Sequence, residues 1–213
     1  MLRIKSLITL TLIILFSGFI FFAKTKIKKN SEIRPYQNGD MIFQTTIAGQ
    51  GKAIQLATHS KYTHIGIIFK ENNEWMVYEA VQPVQKISLK SFIERGDNKK
   101  YVIKRLANDS LLKTDSVITN MKNYLTAQLD KNYDMYFNWK DDELYCSELV
   151  WKCYQTIGIE IGKTKVLGDF DLSSPIVKTI LNERYGDAIP LQEKVIAPSD
   201  IFDNKKLMLV EEK

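Results

Sequence analysis

The residues able to carry covalent chemistry are few: two cysteines, Cys146 and Cys153, and two histidines, His59 and His64. Apolar spacing predicts a helix over 145–157, stopped by Gly158, and both cysteines fall on it. Seven residues along a helix separate the two Cα atoms by about 10 Å, and a disulfide needs less than about 7 Å. The two thiols therefore cannot pair while the helix exists. Cys153 recurs with Leu149, Val150, Tyr154 and Ile157 on the apolar face, the pattern of a core residue. Cys146 stands in the first turn, just after Asp141-Asp142-Glu143. A thiol there feels the positive end of the helix, and the free N–H groups beside it can hold an oxyanion. That is the chemistry of acyl transfer by a thiol nucleophile, which requires a base.

Only the two histidines can serve. His59 lies in an irregular, glycine-containing segment, whereas His64 opens a predicted strand, and strands hold a side chain more rigidly than loops. His64 is the better base. If Asn72-Asn73 is the turn between this strand and the next, Glu79 falls opposite Gly66, on the face of His64 and two positions along. The diagonal distance of about 7–8 Å between backbones is within reach of a Glu side chain, so Glu79 can orient the imidazole. A slip of one residue would turn it to the other face. Taken alone, Glu79 also reads as a surface carboxylate and His64 as a satisfied strand-end histidine. Tyr62 and Tyr145 flank the base and the thiol in sequence, and either could donate to an oxyanion. Asp40 fits a residue shaping the cleft and equally a Gly-Asp turn before a strand. Glu148 complements the helix N-terminus.

The elements that must position these groups follow from the pattern. Strands are predicted over 41–43, 64–69, 75–80, 101–106 and 207–210, and a helical turn over 53–57. Helices are predicted over 88–95, 111–129 and 145–157, with a loop-rich tail after the last. This order points to an α+β fold around an antiparallel sheet.

Composition narrows the function. With 45% hydrophobic and 26% charged residues among 213, the chain is globular. The net charge of +5 arises in residues 1–30, which hold six bases and no acid; the rest carries 24 bases against 25 acids. A basic nucleic-acid-binding face is therefore not expected. Residues 6–23 carry no charge, and 7–23 read as an apolar anchor or a signal peptide. Ala23 follows Phe21 two positions back, so a small-x-small cleavage site is missing and an uncleaved membrane anchor is favoured. The division expected is 1–30 as anchor or signal with a basic connector, and 31–213 as one domain. Basic residues after the apolar run argue for a cytoplasmic domain. The cysteines lack metal-ligand spacing, and Gly49 and Gly51 lack the Lys-Ser/Thr of a phosphate loop, so no metal or cofactor is expected.

The segments GDMIF, HSKYTHIGIIF, YEAV and YCSELVWKCY, in that order and followed by APSDIFDN, resemble the YiiX/YaeF-like permuted papain-like amidases, a branch of the NlpC-type cysteine hydrolases. The resemblance runs from about Gly39 to the C-terminal part. It implies a circularly permuted papain-like fold, with the base strand first and the nucleophile at a later helix N-terminus. It implies Cys146 as nucleophile, His64 as base and Glu79 as orienter. The residue before the base is commonly Ser in such proteins and is Thr63 here. The implied reaction is hydrolysis of an amide in a peptide, a cell-wall peptide or a lipid-linked molecule, in the cell envelope. Two rivals stand beside it: an acyltransferase or lipid hydrolase similar to the lecithin retinol acyltransferase-like proteins, and a membrane-tethered binding module without activity. An extended apolar groove beside Cys146 would favour the first rival, and a polar closed pocket an amidase.

Overall fold

The computed structural model describes residues 34–46 and 49–213. The expected anchor, its basic connector and the boundary near residue 31 lie outside the described residues. Among the described residues no helix is long and apolar enough to cross a membrane.

In chain order the elements are β1 (Asp40–Gln44), α1 (Gly51–Thr58), β2 (His64–Glu71), β3 (Glu74–Glu79), β4 (Gln85–Ser88), α2 (Leu89–Arg95), β5 (Tyr101–Leu106) and α3 (Asp115–Gln128). Then come β6 (Asn132–Tyr133), β7 (Glu143–Leu144), α4 (Cys146–Gln155), β8 (Lys165–Val166), α5 (Pro175–Tyr185), β9 (Lys194–Val195), α6 (Pro198–Phe202) and β10 (Leu207–Glu212). The six-stranded sheet runs β10-β5-β1-β2-β3-β4 with every neighbouring pair antiparallel. The expected α+β architecture is present.

The β2–β3 hairpin turns on Asn72 and Asn73, at φ 47° and 67°. Two successive left-handed residues make the tight turn whose twist matches the strands, and Asn tolerates that conformation well. Ile67 pairs with Tyr78 and Ile68 with Val77, the register expected from the sequence.

Both faces of the sheet are covered, which explains the unbroken apolar run in β2. Ile65, Ile67 and Phe69 face Leu149, Val150 and Cys153 of α4 and Met121 and Leu125 of α3. Ile68 faces the other way with Ile42, Val77, Ile103 and Phe92 of α2. A side chain at Gly66 would meet Val77 at 2.4 Å and Phe92 at 3.2 Å, so the glycine lets α2 lie close beneath the start of β2.

The tail departs from expectation. Residues 175–185 form a helix rather than loop, started by Pro175 in the first turn and ended at Gly186 with φ 57°. Val177 and Leu181, four residues apart, bury one stripe against Ala53 of α1. The helical signal was present in these capping residues, but the stripe is narrow and the remaining faces are polar.

Candidate active site

Helix α4 packs on β2 and brings its first residue, Cys146, to the end of the sheet where His64 begins that strand. Tyr145 is the N-cap, and its carbonyl accepts from Leu149 N at 3.0 Å. The carboxylate of Glu148 closes the cap by accepting from Tyr145 N at 3.4 Å and lies 2.8 Å from Lys152 Nζ. Burial pushes the Glu148 carboxyl up to about 7, against the pull of Lys152. Cys153 is buried two turns further on, where burial pushes its thiol far up and leaves it inert.

His64 Nε2 lies 2.6 Å from Glu79 Oε2, and the carboxylate is 0% exposed. The ring stacks on Phe92 at 5.5 Å between centroids. With Nε2 committed to Glu79, Nδ1 is the nitrogen that remains for the thiol. Burial lowers the proton affinity of the imidazole, but the Cys146 thiol and Glu79 together outweigh it and raise the ring to about 9. Glu79 is also desolvated, yet His64 and Arg95 hold its carboxyl below the usual range. The imidazole thus lies between a buried carboxylate and a sulfur, both of which favour its protonated form.

Two residues that sequence reasoning missed hold Glu79. Gln85, its register partner on β4, donates from Nε2 to Oε1 at 2.9 Å. Arg95, the last residue of α2, donates from Nη2 to both oxygens at 2.5 Å. Gln85 could have been found by carrying the strand register one strand further. Arg95 reaches Glu79 only because α2 folds back under the sheet.

The other expected site residues are placed differently. His59 caps α1 on the surface, its side chain 75% exposed and 3.2 Å from Asp171. Asp40 lines neither chamber of the cleft; it forms a buried ion pair with Arg105, Nε to Oδ1 at 2.6 Å and Nη2 to Oδ2 at 2.8 Å. Its strand position pairs with Ile68, four residues along β2 from His64. Tyr62 also lies outside the cleft, in an aromatic cluster with Phe43 and Phe202, its ring 4.1 Å from the latter. Tyr145 borders the cleft, but its hydroxyl accepts from Ile196 N at 3.1 Å. Thr63, where Ser is common, accepts from Thr46 N at 2.7 Å and donates to Thr46 O at 3.0 Å, tying β2 to the end of β1.

The hydroxyl that does face the site is on Tyr133, in the connection between α3 and α4. Its oxygen accepts from Gln50 Nε2 at 2.6 Å, and Gln50 Oε1 accepts from Arg184 Nη2 at 2.5 Å. Burial keeps this hydroxyl protonated, with the charge at Cys146 acting in the same direction. Because Gln50 supplies the proton of their hydrogen bond, Tyr133 keeps its own proton for another acceptor. Gln50 is set by Gly51, where a side chain would meet Thr46 O at 1.8 Å. No periodicity marks these three residues; they converge from three distant segments.

Around the thiol the cleft has two chambers. One, of about 730 Å³ including the part open to solvent, is lined by Cys146 and Tyr145 and by apolar residues of α1 and α5. The other, about 1290 Å³ with its open mouth, is lined by His64, Thr63, Gln82 and Glu183 among others.

An antiparallel sheet with a histidine on an early strand, and a cysteine at the N-terminus of a later helix, define a permuted papain-like fold. The chain belongs to the permuted papain-like amidase family, YaeF/YiiX, C92, whose model matches residues 35–211. It is 44% identical over 176 residues to the uncharacterized protein YiiX of Escherichia coli K12, covering 82% of this chain and 85% of that protein. It also superposes with a TM-score of 0.78 on a crystal structure of YiiX from Escherichia coli O157:H7, at 43% identity, covering 83% of this chain and 97% of that one. That structure is described as one of a metalloprotein. The residues here do not fit a metal: among the described residues no group of three or more His, Cys, Asp or Glu side chains is arranged to hold an ion. Glu79, the carboxylate paired with the imidazole, already has both oxygens occupied by His64, Gln85 and the Arg95 cation.

Proposed function

We propose that the protein is a cysteine hydrolase that cleaves an amide through a thioester on Cys146. The observation that carries this reading is the buried His64–Glu79 pair, 2.6 Å apart, coupled to a thiol in the first turn of α4. His64 takes the proton of Cys146, and the thiolate attacks the substrate carbonyl, forming a C–S bond. The resulting oxyanion is held by the Cys146 N–H and the Tyr133 hydroxyl. His64 then gives its proton to the amine nitrogen as the C–N bond breaks. Water follows, losing a proton to His64 as it attacks the thioester. The C–S bond breaks, the acid leaves, and the proton returns to the thiol. Glu79 holds the imidazole tautomer and stabilises the imidazolium throughout, while Gln85 and Arg95 hold Glu79.

The test combines chemistry with fold. Cys146→Ala should lose turnover and thioester formation while keeping the thermal transition of the parent chain. Iodoacetamide should modify Cys146 at least tenfold more slowly in His64→Ala and at the parental rate in His59→Ala. Equal rates in all three chains would remove the base assignment and favour a binding module. The apolar run over 7–23 supports a membrane-linked setting in the cell envelope, checked by whether the full chain resists carbonate extraction from membranes.

A further inference from the structure

The Tyr133 hydroxyl can serve an oxyanion only while its proton is not given to a neighbour. A tyrosine hydroxyl has a single proton and accepts as well as donates. The Gln50 amide beside it has a carbonyl at one end and an NH2 at the other, so a half-turn of the amide reverses the bond between them. With Nε2 toward Tyr133, the hydroxyl accepts at 2.6 Å and its proton is spare. With the carbonyl toward Tyr133, the hydroxyl would give its proton to Gln50 and have none for a substrate.

The direction follows from Arg184. Its Nη2 lies 2.5 Å from Gln50 Oε1. A guanidinium carries donors only and a permanent charge, so the carbonyl end of the amide must face it and the NH2 end is turned to Tyr133. The chain runs in one sense, from cation to amide to hydroxyl, and each donor polarises the next. Burial pushes the Tyr133 hydroxyl up, while the Gln50 donor and the Arg184 charge both pull against it. Among the described residues no carboxylate forms an ion pair with Arg184, so its charge is not cancelled beside the site.

The surroundings hold both ends of the chain. Tyr133 pairs with Leu144 in the short β6–β7 ladder, close before Cys146, and its N–H donates to Gln82 Oε1 at 2.6 Å. Arg184 lies in the last turn of α5, where the helix end favours a cation. Its Cζ stands 5.2 Å from the ring centroid of Phe137. Phe137 takes a φ of 53°, an uncommon conformation for a bulky residue, and its ring packs edge-on against Tyr145, the N-cap of α4, at 5.0 Å.

Resting on the cysteine-hydrolase reading, we propose that Arg184 is a positioning residue: it fixes the orientation of the Gln50 amide and thereby keeps the Tyr133 proton for the oxyanion formed over Cys146. Arg184 acts through Gln50 and Tyr133 and not on the thiol.

The experiment uses the full-length chain and p-nitrophenyl acetate, with acylation of Cys146 followed by intact mass and p-nitrophenol release. Iodoacetamide serves as a reaction at the same thiol that develops no oxyanion. Gln50→Glu keeps the side-chain size and gains an ion pair with Arg184, but it presents an acceptor to Tyr133. It should slow acylation to within about threefold of Tyr133→Phe, with alkylation at the parental rate. Arg184→Met frees the amide to turn and should slow acylation about tenfold, while Arg184→Lys, again a donor-only cation, should stay within about threefold of the parent. Added to Tyr133→Phe, Arg184→Met should slow acylation by less than about twofold more, because the hydroxyl it serves is already gone. Gln50→Glu acylating at the parental rate would overturn the assignment, and so would equal rates in Arg184→Met and Arg184→Lys. A full further loss in the double variant would place the cation on the substrate or in the fold and overturn it too, as would equal slowing of acylation and alkylation in Arg184→Met. Each of these results leaves the hydrolase reading intact. If the parent chain is not acylated at Cys146, that reading fails and this assignment with it.

Discussion

Glu79 Oε2 lies 2.6 Å from His64 Nε2, although the two residues stand two positions out of register on neighbouring strands. Arg95 and Gln85 hold the carboxylate on this diagonal, and the missing side chain at Gly66 lets Phe92 lie close, where it stacks on the His64 ring. Removing this anion leaves Cys146 alone to offset the cost of burying the imidazole. Glu79→Gln keeps the shape and should lower kcat by about 10²- to 10⁴-fold, because the amide cannot stabilise an imidazolium. Glu79→Ala should lose as much activity and also destabilise the fold by about 1–3 kcal/mol, read by urea denaturation, since it strands the buried His64 and releases the more exposed Gln85 and Arg95.

The pH profile carries the sign of the same pair. His64 is raised from its ordinary value to about 9, so its proton is held more tightly in the folded chain than in the unfolded one. The stabilisation this provides is complete below about pH 6.5 and is lost as pH rises through about 9. Activity that needs the imidazolium should fall on an alkaline limb near pH 9, and that limb should move to lower pH in Glu79→Gln. A profile from pH 6 to 10 with no movement between the two chains would contradict the coupling. The limb belongs to the thiol–imidazole pair rather than to either group.

Tyr133 and Tyr145 separate a hydroxyl proposed to act on substrate from one that holds the fold. Tyr133→Phe should lower acyl transfer by about 10²- to 10³-fold while leaving the iodoacetamide rate at Cys146 unchanged, because alkylation develops no oxyanion. Tyr145→Phe should leave the buried N–H of Ile196 without its acceptor and destabilise the fold by about 1–3 kcal/mol. Loss of both reactions in Tyr133→Phe would mean that the hydroxyl acts on the thiol itself.

Asp40 is expected to matter for stability alone. Its carboxylate is buried with Arg105, whose side chain is only 6% exposed. Asp40→Ala leaves an unpaired buried guanidinium and should cost about 3–5 kcal/mol by denaturant titration. The rate per folded molecule, measured well below the melting transition, should stay at the parental value. A selective loss of kcat would return Asp40 to the cleft.

The placement of Cys146, His64 and Glu79 was legible because each depends on local periodicity. A thiol in a first helical turn is read from the 3.6-residue pattern and the N-terminal boundary. A diagonal carboxylate is read from a two-residue Asn turn, since turn length sets register and register sets the face. Cys153 was assigned to the core for the same reason. Tyr62 and Asp40 show the limit of neighbourhood along the chain: one lies two residues from His64 and turns away into Phe43 and Phe202, the other sits four strand positions along and pairs with Arg105.

By itself the sequence determined which groups stand together: one helix-start thiol, one strand-start imidazole and the carboxylate across the hairpin. Tertiary structure alone decided what supports them and what they meet. Arg95 reaches Glu79 from a folded-back helix, and Tyr133, Gln50 and Arg184 meet beside the thiol from segments up to 134 residues apart. The apolar chamber beside Cys146 lies between α1 and α5, whose apolar stripes each have the plain meaning of burial. Periodicity states which face of an element is buried; only packing states what is left open between two such faces.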